Sequence, residues 1–136
     1  MFIKARRNLK IVTLATALLA ATAATTAQAG NADATTARQC HGTEPFWSLT
    51  LDGKTIKFEN LGTESSLSIN QPNPKSAHGR SAEYLAMYQG RTLETPTRFL
   101  NVIVRSESCS DGMSDDTYPY SVLVLSGNDL FDGCCR

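Results

Sequence analysis

The sequence predicts an all-β fold: a small antiparallel β-barrel, or a strongly curved sheet, of about six to eight short strands, stapled by disulfides. Three observations carry that expectation. Apolar and polar residues alternate in short runs of the kind a half-buried strand requires, and no sustained helical period follows residue 30. Turn residues, among them Asp52-Gly53 and the group Pro72, Pro74 and Gly79, interrupt those runs at close intervals. Four cysteines, an even number, stand in a chain that starts like an exported precursor.

Residues 1–29 read as a signal peptide. Lys4, Arg6, Arg7 and Lys10 give a basic start, and residues 11–24 form an apolar run broken only by Thr13, Thr16 and Thr22. Ala27-Gln28-Ala29 supplies the small-x-small pattern that signal peptidase accepts, so the predicted cut falls between Ala29 and Gly30. A membrane anchor is the alternative, but the run is about 14 residues where a spanning helix takes roughly 20. Arg6-Arg7 resembles a twin-arginine signal in outline, yet paired basic residues are common in leaders of the general secretory route, which is the one expected. No cysteine follows the cut, so lipid attachment is not expected. The mature chain would be periplasmic or secreted, with no stable membrane insertion.

Residues 30–39 are small and polar and read as a disordered N-terminal segment, and residues 40–136 as a single β-domain. Residues 46–51 place Trp47, Leu49 and Leu51 on one face of a strand. Asp52-Gly53 then marks a tight hairpin turn, with positive φ expected at both residues. In residues 54–59, Ile56 and Phe58 alternate with Thr55 and Lys57, and Leu67 and Ile69 put a short strand at 66–70. Residues 71–79 are loop. Residues 81–89 suit a strand or a short helix, and strand is the expectation. Leu100, Val102 and Val104 alternate through 99–105. After Ser121 the run to Leu125 is continuously apolar, which predicts burial on both sides or a barrel corner. Residues 130–135 form a last short strand. A closed or nearly closed barrel leaves few free edges.

Cys40, Cys109, Cys134 and Cys135 read as two disulfides. Bridging the neighbours Cys134 and Cys135 would strain the peptide between them, and in a strand they face opposite sides. One is therefore expected to reach Cys40 and the other Cys109, the assignment staying open. Loops of this length are worth roughly 3–5 kcal/mol each in the chain-entropy model. A zinc site using these thiolates and His41 is disfavoured by the lack of a C-x-x-C pair. A vicinal redox pair is disfavoured by the lack of a thioredoxin-type motif.

The chain has 13 Lys and Arg and 13 Asp and Glu. Four of the basic residues lie in the leader, so the mature chain carries nine basic against 13 acidic residues, a net charge of −4 with His neutral. Nucleic acid is excluded as a partner, since no basic excess exists to displace counterions.

Three segments go beyond generic β-protein: Cys40-His41-Gly42-Thr43-Glu44-Pro45-Phe46-Trp47, the run from Cys109-Ser110-Asp111-Gly112-Met113-Ser114-Asp115 to Tyr118-Pro119-Tyr120, and Gly133-Cys134-Cys135-Arg136. Together they resemble a family of uncharacterised bacterial envelope proteins, exported or lipid-anchored, with G-T-E-P-F-W, C-S-D-G-M-S-D-x-x-Y-P-Y and G-C-C-R motifs. The resemblance spans residues 40–136. It implies a small envelope module, here the soluble kind, and no reaction.

Glu44, Asp111, Asp115 and Arg136 are the polar residues to watch, because the disulfides would gather them near one end, where Arg136 could pair with Asp111 or Glu44. Tyr118 and Tyr120 could add a binding face. No catalytic residue is assigned. Glu44, Asp111 and Asp115 are the candidates if the protein is a hydrolase using paired carboxylates. Ser–His–Asp chemistry lacks a G-x-S-x-G motif, a calcium loop at Asp111, Asp115 and Asp116 lacks the required spacing, and no phosphate-binding glycine loop is present. No cofactor and no metal are expected. The reading is a monomeric, non-catalytic binding module for an envelope protein or a small ligand. A lysozyme inhibitor is one concrete version, with Ser126-Gly127 a weak echo of such inhibitors' loops. The alternative is a small periplasmic carboxylate hydrolase, and whether the carboxylate cluster is structural or functional separates the two.

Overall fold

Side-chain alternation builds a wall with one wet and one dry face, and eight strands share that wall in the computed structural model, which describes residues 37–136. The expected signal peptide, and residues 30–36 of the expected disordered segment, lie outside the described residues. The strands are β1 (Arg38–Gly42), β2 (Trp47–Leu51), β3 (Thr55–Asn60), β4 (Ser65–Asn70), β5 (Leu85–Arg91), β6 (Phe99–Cys109), β7 (Tyr118–Ser126) and β8 (Asp129–Cys135). Their order in the sheet is β4-β3-β2-β1-β8-β7-β6-β5, every neighbour antiparallel. The sheet curls into a nearly closed barrel, with the first and last strands paired and a seam left between β4 and β5.

The seam is bridged by one backbone bond and one carboxylate rather than by a ladder. Leu93 N–H donates to the Ser68 carbonyl at 2.8 Å, and the Glu94 carboxylate accepts from Ser68 N–H at 3.0 Å and from the Ser68 hydroxyl at 2.6 Å. Glu94 thus satisfies edge groups of β4 that a ninth strand would otherwise take. On the other edge, Lys75 pairs with Met87 of β5.

Inside, Trp47, Leu49 and Leu51 of β2 and Leu100, Val102 and Val104 of β6 belong to one buried core. Each such side chain contributes about 1.5–3 kcal/mol through the water it sheds. Trp47, Phe58 and Phe131 form an aromatic centre, with ring centroids 4.9 to 6.1 Å apart. The indole has room because Gly42 and Gly133 lack side chains. A Cβ at Gly133 would stand 2.7 Å from Trp47 Cζ2 and collide with the His41 carbonyl.

Four expectations are corrected. Strand β1 starts at Arg38, two residues before the expected start of the domain, and Gln39 and Arg136 exchange both backbone hydrogen bonds at 3.0 Å. At the first hairpin Gly53 has positive φ (87°) and Asp52 does not. Instead the Asp52 carboxylate accepts the N–H of Lys54 and Thr55, so its side chain supplies the turn. In β7 burial alternates: Val122 and Val124 face the core while Leu123 and Leu125 are about 40% exposed, so the apolar run is one-sided. β6 continues to Cys109, past the expected end at 105.

The bridges are Cys40–Cys135 and Cys109–Cys134. Cys40 and Cys135 face each other across β1 and β8 and belong to the core, whereas Cys134 points outward to the β6–β7 hairpin. No cysteine among the described residues is free. Such bridges are compatible with an oxidising compartment outside the cytoplasm.

Two substitutions test this architecture. Gly133→Ala is expected to cost about 2–3 kcal/mol in urea unfolding, since backbone and indole both block the methyl. Native-like stability would mean that the ring does not occupy that gap. Glu94→Gln is expected to cost about 1 kcal/mol near neutral pH. Desolvation raises the Glu94 pKa, but the bonds from Ser68 outweigh it and leave it lowered. Its contribution is therefore present above the ordinary carboxyl range and lost as pH falls through the lowered value, so the difference between wild type and variant should shrink in acid.

Candidate functional site

The β6–β7 hairpin overshoots the barrel, with a register shift between Ser106 and Cys109, and resumes pairing at Cys109 and Tyr118. The loop beyond, residues 110–117, is organised by Asp111. Its Oδ1 accepts from Met113 N–H at 3.0 Å and Ser114 N–H at 3.1 Å, and the Ser114 hydroxyl adds a third bond at 3.2 Å. Tyr118 donates its hydroxyl to Oδ2 at 3.4 Å. These bonds make a compact turn around Asp111, with Gly112 taking the left-handed conformation (φ 71°).

Three ties hold the loop against the outer wall. Cys109 is bridged to Cys134, Thr43 donates its hydroxyl to the Asp111 carbonyl at 3.5 Å, and His41 Nε2 lies 3.6 Å from Asp111 Oδ2. Between the loop, the β1–β2 turn and the outer face of β8 opens a cleft of about 320 Å³, lined by His41, Thr43, Glu44, Asp111 and Asp132, with Trp47 also reaching it.

The electrostatics of this cleft are negative and durable. The N–H groups of Met113 and Ser114 bring the Asp111 pKa down to about 2; burial works against them, and the Ser114 hydroxyl and His41 assist. Among the described residues neither Glu44 nor Asp132 has an ion-pair partner. Glu44 sits in the left-handed region (φ 50°), a conformation that costs a non-glycine residue about 1–2 kcal/mol and that fixes how the turn presents it.

The expected residues divide. Glu44 and Asp111 come together in the cleft, and Tyr118 packs beside them, buried, its ring 4.9 Å from His41. Arg136 does not pair with Asp111 or Glu44. Its guanidinium lies over the Tyr118 ring at 5.2 Å, and its backbone is held by Gln39. Tyr120 lies under Arg38 at 4.4 Å, away from the cleft, and Asp115 is exposed on the loop without lining it. Two cleft residues were not foreseen, His41 and Asp132. Alternation puts both on the outer face, since His41 follows an inward Cys40 and Asp132 shares the outward face of Cys134, but their meeting at the cleft is set by the β1–β8 register.

Among the described residues no three His, Cys, Asp or Glu side chains converge to hold a metal ion. No protein-family model matches the chain, and no curated protein or solved structure matches it. What the arrangement can do chemically rests on the cleft itself: it presents fixed carboxylates to whatever enters.

The lowered pKa gives a direct measurement. Asp111 favours the folded loop above the ordinary value of 3.8 and stops doing so as pH falls through about 2. In an NMR pH titration, the Met113 and Ser114 amide signals should hold steady to about pH 3 and move together near 2. A midpoint near 3.8 would show that these bonds do not form in solution.

Proposed function

We propose that the chain is an exported, non-catalytic binding module of the bacterial envelope, of the family its three motifs resemble, whose cleft holds a cationic group of a partner protein. One observation carries the reading: three acidic residues line a single cleft, one of them ionised down to about pH 2 and two without ionic partners among the described residues. The mature chain's net charge has the same sign, so the site and the whole molecule would steer a basic partner alike. The leader-like pattern of residues 1–29 and the two disulfides support export to the periplasm.

The same observation removes Asp111 as the general acid of a hydrolase. A general acid must carry a proton at working pH, and Asp111 has given its proton up. Its hydrogen bonds are already spent on its own loop, which suits a fixed charge better than a shuttle.

A c-type lysozyme, being basic, is the concrete partner to test. Titrating its activity with the exported, oxidised protein should give stoichiometric inhibition that weakens with salt. The Glu44→Gln, Asp132→Asn double variant should keep the wild-type melting midpoint and inhibit about tenfold less well or worse. No inhibition at large excess would remove lysozyme as the partner. Inhibition indifferent to salt and to both substitutions would remove the cleft as the contact.

A further inference from the structure

The open end of the barrel is a second concavity, which shares Phe131 with the cleft but none of its charged residues. Its floor is the apolar core itself: Phe58 and Phe131, with centroids 4.9 Å apart, and Leu67, all buried. Above the floor stand Asn60 and Ser126, polar side chains in inward positions and only 9% and 8% exposed. Arg98 and Asp129 complete the rim. Together these enclose about 270 Å³.

Each polar group is set by local structure. The Asn60 side-chain oxygen accepts Gly62 N–H at 3.0 Å, which leaves its amide N–H₂ as a donor. Ser126 and Asp129 flank the β7–β8 turn as a registered pair, with Gly127 in the left-handed region (φ 62°). Arg98 is anchored at its backbone, where it exchanges bonds with Thr92: its N–H donates to the Thr92 hydroxyl at 2.8 Å, and its carbonyl accepts Thr92 N–H at 2.8 Å. Arg98 and Asp129 line one cavity with opposite charges, yet among the described residues they form no ion pair, with each other or elsewhere.

A cavity with an apolar floor and separated opposite charges at its rim matches a zwitterion with an apolar tail. We propose that the barrel mouth binds a free α-amino acid with an apolar side chain. Its carboxylate meets the Arg98 guanidinium and the Asn60 amide, its ammonium meets Asp129 and the Ser126 hydroxyl, and its side chain rests on Phe58, Phe131 and Leu67. The volume lies just below the usual range for ligand sites, about 300–1,000 Å³, so one residue fits and a longer peptide would protrude. Barrel mouths are favoured places for such sites because strand ends hold converging groups on a rigid frame.

The test is a set of NMR titrations of the oxidised protein with L-phenylalanine, N-acetyl-L-phenylalanine, L-phenylalaninamide and glycine. L-Phenylalanine should shift the Phe58, Asn60, Ser126 and Phe131 amides saturably. Removing its positive charge, its negative charge or its ring should each weaken binding about tenfold or more. Arg98→Gln should abolish the preference for L-phenylalanine over its amide, and Asp129→Asn the preference over the N-acetyl compound. Both variants should keep the wild-type melting midpoint, since neither side chain has an ionic partner among the described residues to lose. Absence of shifts at the solubility limit, equal affinity for all four compounds, or shifts confined to other parts of the barrel would each overturn the proposal. The Glu44→Gln, Asp132→Asn variant should bind L-phenylalanine as the wild type does, which keeps this site separate from the cleft.

Discussion

Successive residues of a strand face opposite sides, and at Cys134-Cys135 that rule sends one bridge into the barrel and the other out of it. Cys135 reaches Cys40 across the β1–β8 pair, so the ends of the domain are tied inside the core. Cys134 reaches Cys109 on the outer surface, 25 residues back, and holds the overshooting hairpin against the wall. A single dipeptide therefore closes the barrel and positions the loop that makes the cleft. Slipping β8 by one residue would exchange the two faces and aim each thiol away from its partner.

Packing and charge depend on the same strand. Gly133, next to this dipeptide, leaves the gap that admits Trp47, while Asp132 beyond it faces the cleft. The loop that Cys109 anchors is then shaped by Asp111 from within, since its carboxylate takes up the amides that the turn would otherwise leave unpaired. The polar groups of the loop are therefore satisfied locally. Glu44 and Asp132, by contrast, do no structural work of this kind, and it is they that remain open to a partner.

How far the sequence discloses this differs by element. Strands β2, β3 and β6 were legible because large apolar residues alternate with polar ones, and each buried apolar position there was foreseen from spacing, though the buried Asn60 was not. β1 was not, because Cys40 and Gly42 are its inward residues and neither looks like core in a hydropathy pattern. The outward leucines of β7 misled in the other direction, since an apolar residue on a barrel's outer face is indistinguishable by composition from one inside. In the cleft, Glu44 and Asp111 stood out through their motifs. His41 and Asp132 did not, because their membership depends on the register of β1 and β8, and register is a pairing between strands about 90 residues apart in the chain. The stacking of Arg136 on Tyr118 in place of an ion pair likewise follows from where the last backbone pair, Gln39 with Arg136, leaves the side chain.

The ring order also decides where the barrel is weakest. Counting strands around the wall, the β4–β5 seam lies diametrically across from the β1–β8 junction. At the seam, closure rests on a few bonds through Leu93 and Glu94. At the junction it rests on a strand pair and the Cys40–Cys135 bridge. Local opening should therefore begin at the seam, since a region held by few hydrogen bonds and little packing opens at the lowest free energy. The cleft sits on the opposite, stapled wall. A site built there loses little freedom when it binds, because its loop, turn and strand are already held in place, and preorganisation of that kind raises affinity without any added contact.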